Sequence, residues 1–299
     1  MIKKDNLYVS SKIILLALII LLSIISVSNS QTLVETYAKQ YPFISMDDTV
    51  FTFYTEFELP DGYEYPNPVN LNKFQNWIIN FPIWHQYKKV GIWDGGIEFE
   101  PDEVSRVVHL PWHGHLYRDL NFPLRILGEF LFLNKKQEQF VFYPKKGDSL
   151  FYSDWLNGRP MYTARKEVFI EPDIPKKPTE KEFYKYIHFC MQENNYLSLS
   201  QNCTEIKENE LMPGDLYITW NRNGMRGNVY LILNMIYNNK DEKLFAIATG
   251  SPEEACDYYI PKFNDNRNLP WISINKLKEL PTEKLNSGFF RFNLINGSD

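Results

Sequence analysis

Cysteine is scarce in this chain: three residues, Cys190, Cys203 and Cys256, among 299. That excludes a disulfide-built scaffold, although one bridge with one thiol left over would be allowed in oxidising surroundings. Positive charge is in deficit, with 32 Lys and Arg against 37 Asp and Glu, a net charge of −5. No basic run with interleaved aromatics occurs. A nucleic-acid binder and a protein docking on anionic lipid are therefore poor fits. Sequence motifs for hydrolysis or nucleotide binding are also missing: no G-x-S-x-G, no H-E-x-x-H, no phosphate loop and no dinucleotide fingerprint. There is no repeat and no low-complexity tract.

What is present is a globular composition, 44% hydrophobic and 16% aromatic, enough for a sizeable core. Residues 1–12 are polar and net positive, and residues 13–27 are apolar apart from Ala17 and two serines. Ser28-Asn29-Ser30 then offers small residues before Gln31. This predicts a secretory signal over 1–30, and so a periplasmic or secreted protein. The apolar run is shorter than the roughly 20 residues of a membrane span, though an uncleaved anchor is the alternative and would be the protein's one link to a membrane. Removing 1–30 leaves 29 positive against 36 negative residues, a net −7. Residues 31–59 read as a lead and 60–295 as a single α+β domain, with a possible inner boundary at the proline-rich stretch 172–178.

Within that domain the spacing predicts a helix over 72–81 capped by Asn72 and stopped by Pro82, and another over 122–133 with Pro123 in its first turn. A third runs from Thr179, with Glu182 completing a capping box, to about Asn194. Strands are expected at 50–57, 104–110, 216–220, 229–236, 243–248 and 288–295, the fourth buried on both faces. Cys203 is read as lying in a polar loop.

Three constellations bear on chemistry. His109, His113 and His115 fall within seven residues and could converge on zinc in an extended segment, but Pro111 and Gly114 break the parity. The plainer reading is a polar loop without a metal. His85 and His188 are read as surface residues. No cysteine has the cationic or helix-terminal setting of an activated thiol. Arg125 and Glu129 are an i, i+4 pair, either an ordinary surface ion pair or a buried functional one.

Several blocks together resemble a bacterial family known as domain of unknown function 4846. They are F-Q-N-W-I-I-N-F-P (74–82), R-D-L (118–120), R-I-L-G-E-F-L-F (125–132), S-D-W-L-N-G-R (153–159), P-G-D-L-Y-I (213–218), G-N-V-Y-L-I-L-N-M (227–235), A-T-G-S-P-E-E-A (248–255) and L-P-W (269–271). The block at 213–236 also looks like the core of papain-like peptidoglycan hydrolases of the NlpC type. There a histidine at the strand start serves a cysteine at a helix N-terminus. This chain has Asn228 at the histidine position and L-N-F-P (120–123), without cysteine, at the helix start. Asparagine cannot act as a general base. The resemblance thus implies a papain-like α+β domain that has lost the pair. The leading expectation on that scaffold is a non-catalytic domain that uses no cofactor and binds a small or peptide-like envelope ligand in a groove lined by Asn228, Arg125, Glu129, Arg159 and Trp220. The rival is a secreted hydrolase of cell-wall peptide or amide bonds, metal-dependent through the histidines. A purely structural envelope protein is a third reading.

Overall fold

The twelve residues Gly227–Asn238 form the strand around which the others are arranged. The computed structural model describes residues 39–44, 51–110, 114–159, 161–162, 167–168 (backbone alone), 175–281, 283 and 285–293. The signal segment 1–30, His113 and the first residues of the 172–178 stretch lie outside that set. The chain divides into two units, Met1–Val50 and Phe51–Asp299. Of the first, only 39–44 are described: a helical end at Lys39 and Gln40, then a turn in which the Ile44 N–H donates to the Tyr41 carbonyl at 3.0 Å. Everything below concerns the second.

Its centre is an antiparallel sheet of β1 (Tyr63–Glu64), β2 (Cys203–Ile206), β3 (Leu216–Trp220), β4 (Gly227–Asn238), β5 (Lys243–Ala248) and β6 (Asn286–Phe292). Leu231 of β4 has Leu216 of β3 as one neighbour and Ala248 of β5 as the other. β6 follows on the far side of β3, and β2 on the far side of β6. Residues 229–236 are all buried, as an apolar run covered on both faces requires. A bulge between Ile232 and Asn234 shifts the parity of β4 against β5. Tyr230, Ile232 and Met235 therefore share one core face with Tyr217, Phe245, Ile247 and Phe289.

The helices are α1 (Phe53–Glu56), α2 (Lys73–Ile79), α3 (Phe122–Leu133), α4 (Tyr152–Leu156), α5 (Glu180–Glu193), α6 (Tyr196–Gln201) and α7 (Ile274–Glu279). With the antiparallel sheet they make an α+β fold. Asn72 caps α2 by accepting from the Gln75 N–H at 2.9 Å, and Gln75 Oε1 accepts in return from the Asn72 N–H at 3.0 Å. Helix α3 spans the expected residues and packs on α5, whose Phe183, Ile187 and Cys190 are fully buried. Helix α6 packs on β2, β3 and β4. Among the described residues no helix is long and apolar enough to cross a membrane.

Four expectations need correction. Of the segment 50–57, residues 51–57 are described and hold the helix 53–56 rather than a strand, because Thr55 Oγ1 accepts from the Thr52 N–H and donates to the Thr52 carbonyl, closing the turn locally. Cys203 begins a strand, paired with Phe292. Thr179 does cap α5, but Glu182 does not return the bond: its carboxylate goes to Lys185 and to the Trp155 indole. His188 is half-buried and bonded to the Tyr117 hydroxyl at 2.6 Å.

Candidate functional site

The turn between β3 and β4 is built from asparagine and glycine. Asn221 Oδ1 accepts from the backbone N–H groups of Met225 and Arg226, and its carbonyl accepts from Gly224. Gly224 takes φ +73, a conformation open to glycine at little cost. The turn holds Met225 out in solvent, 69% exposed. At Gly227 no side chain fits: a Cβ would stand 1.9 Å from the Thr219 carbonyl oxygen and 2.9 Å from Cγ of Tyr196. The missing side chain lets the Tyr196 ring lie against the start of β4.

Asn228 follows, half-buried, its backbone N–H donating to Thr219 Oγ1 at 2.9 Å. Its carboxamide makes no hydrogen bond among the described residues. It lines an open cleft of about 410 Å³ with Tyr196, Arg226, Glu253 and Glu283. A second cleft, of about 350 Å³, shares Tyr196 and Met225 with the first, and its charged lining residues are Arg118, Lys145, Lys146 and Glu193.

Behind the clefts lies Asp119, fully buried. Its Oδ1 accepts from the Leu120 N–H at 2.7 Å and from the Tyr196 hydroxyl at 2.9 Å, and its Oδ2 from the Val229 N–H at 2.9 Å. The one carboxylate thus joins the entry to α3, the first residue of α6 and the start of β4. Thr249 adds a bond from its Oγ1 to the Val229 carbonyl at 2.7 Å. Burial raises the Asp119 pKa to about 7, against the opposing pull of those donors and of Arg118. The same burial, with the Asp119 charge, pushes the Tyr196 hydroxyl upward. A carboxyl near neutrality could in principle move protons, but this one is sealed from the clefts and occupied by three donors. It positions Tyr196 and β4.

The remaining residues singled out from the sequence have partners of their own. Arg125 and Glu129 form a buried ion pair at 2.6 Å. Arg125 also donates to the Tyr117 hydroxyl, and Tyr184 donates to Glu129. The Tyr117–His188 bond extends this network across α3 and α5, so the pair is internal rather than a surface one. Arg159 pairs with Asp154 at 2.9 Å with its side chain 69% exposed. Trp220 ends β3 half-buried, its ring 5.8 Å from that of Phe290. Of the five, Asn228 lines the cleft, while Arg125 and Glu129 meet each other.

His109 is buried with its ring stacked 3.7 Å from that of Trp84. His115 is exposed, 5.9 Å from Trp93. Among the described residues no group of three or more His, Cys, Asp or Glu could hold a metal. All three cysteines are free thiols. Cys190 and Cys256 are buried, and Cys203 is half-buried on β2. Burial raises each thiol pKa, that of Cys256 to about 12. None lines either cleft.

Asp119 and Tyr196 are the site residues that sequence reasoning missed. The R-D-L block contained Asp119, but a lone acid before an apolar stretch reads as a turn residue. Comparisons with curated proteins and with solved structures return no significant match. The family model described as domain of unknown function (4846) matches residues 53–294, and the chain belongs to that family.

Proposed function

We propose that this domain is a non-catalytic binding module, exported to the cell envelope or beyond, that takes a small or peptide-like ligand in the cleft at Asn228. The observation that carries this is an unpaired carboxamide at the mouth of a buried strand, beside a cleft with no thiol in its lining. The start of α3 is fastened to the start of β4 through Asp119 and Val229, which is where a papain-like domain would assemble a cysteine and a histidine. Here those positions carry Leu120, Asn121 and Asn228. Asn121 is buried, with its carboxamide donating to the Leu116 carbonyl at 2.7 Å, so it serves the fold. The polar, positive start and apolar run of residues 1–27 support export.

The test is co-sedimentation of the protein with purified cell-wall sacculi. The wild type is retained, Asn228→Leu is retained about five-fold less, the worth of roughly one hydrogen bond, and no soluble fragment is released. Release of muropeptides by the wild type would overturn the non-catalytic reading in favour of a hydrolase. Absence of retention would overturn the ligand class.

A further inference from the structure

The two clefts are opposite in charge. Arg118, Lys145 and Lys146 edge one of them against the single carboxylate of Glu193. Glu253 and Glu283 edge the other against Arg226. Arg118 and Lys146 form no ion pair among the described residues. Lys145 donates to the Asn223 carbonyl at 2.6 Å, which ties its charge to the Met225 turn. Arg118, Lys145 and Lys146 repel one another, and Glu193 with the Asp119 carboxylate behind Arg118 balances only part of their charge. The arrangement makes physical sense where an anion is received. The carboxylates of the other cleft, by the same argument, suit a cation.

Tyr196 and Met225 line both clefts, Tyr196 as a buried floor only 3% exposed and Met225 as the exposed part between them. Tyr196 is immobilised by its bond to Asp119 and by the close approach of Gly227. Met225 supplies an exposed thioether on a turn tied by Asn221, a soft surface for a chain of varied side chains. On this basis, and resting on the ligand-binding reading above, we infer that the two clefts form one groove for a short peptide with free ends. Its C-terminal carboxylate lies among Arg118, Lys145 and Lys146. Its chain crosses Tyr196 and Met225, and its N-terminal ammonium lies between Glu253 and Glu283.

The test uses a tetrapeptide library with free termini, equilibrated with the full chain, with bound peptide counted by mass spectrometry. C-amidated and N-acetylated versions of the library are run beside it. Amidation and acetylation each lower retention about three- to five-fold, as expected for end-group charges in partly exposed sites. Arg118→Gln with Lys146→Gln removes the effect of amidation alone, and Glu253→Gln with Glu283→Gln that of acetylation alone. All four side chains are at the surface, and unchanged circular dichroism confirms the fold of the variants. Met225→Ala weakens all three libraries together. Equal retention of the three libraries, variants that leave the end effects untouched, or no retention of any library would each overturn the inference. Sacculus binding would then still stand or fall separately, and with it the broader reading.

Discussion

Asp119 gives the protein a pH dependence of unusual sign for a carboxylate. Its folded pKa is about 7, while an unfolded aspartate titrates near 3.9. In acid, both states hold the proton and the group costs nothing. As pH rises, the unfolded chain releases its proton first, so unfolding gains. The loss of stability begins above about pH 4, is complete just above pH 7, and amounts to roughly 4 kcal/mol. Urea unfolding of the wild type is therefore expected to show falling stability between pH 5 and 8 from this group. In Asp119→Asn that slope disappears, because a carboxamide does not titrate in this range. None of this was legible in the sequence. The bonds that define Asp119 reach Tyr196 and Val229, 77 and 110 positions away. Asn228 was legible, because its position at the head of an apolar run can be read locally.

At the scale of elements, the long periodic segments declared themselves. Helices α3 and α5 and strands β3, β4 and β5 have the residues their patterns predict, because each buries a continuous apolar face. The elements that were missed are short and polar. Helix α6 begins only two residues after Asn194 ends α5 and spans six residues, Tyr196–Gln201, yet it carries Tyr196. Helix α1 is a single turn closed by the Thr55 hydroxyl on the Thr52 backbone, with Phe53 alone of its residues buried. The i, i+4 spacing of Arg125 and Glu129 was visible, but their burial depends on Tyr117, Tyr184 and His188 from elsewhere. Breaking the pair with Glu129→Gln should cost about 3 kcal/mol in urea unfolding. Arg125→Met with Glu129→Leu should be more stable than that single variant, since no buried charge is left alone. Gly227→Ala should be about as costly as Glu129→Gln. Its methyl has no space beside the Thr219 carbonyl, and a loss of about 3 kcal/mol, read as a lowered Tm, is expected with displacement of Tyr196.

Taken as a whole, the molecule keeps its thiols away from its clefts. In the native protein at pH 8, Cys190 and Cys256 should react with iodoacetamide roughly a hundredfold or more slowly than in urea, through burial and the scarcity of thiolate. Asn228→His should leave those rates unchanged, because restoring an imidazole at the head of β4 brings no sulfur to it. Mass spectrometry of the labelled peptides reads both outcomes. The overall α+β class and the family were open to sequence reasoning, since both rest on runs of neighbouring residues. The opposition of charge between the clefts was not, because Arg118, Lys145, Glu253 and Glu283 come from separate segments.

A wall shared by two clefts also sets a gauge of length. A ligand long enough to cross Tyr196 and Met225 places its second end at high effective concentration once the first is held, so two weak contacts multiply. A ligand too short occupies one cleft and gains only that contact. Discrimination then comes from span as much as from chemistry, and the rigid fastening of Tyr196 to Asp119 keeps the spacing constant.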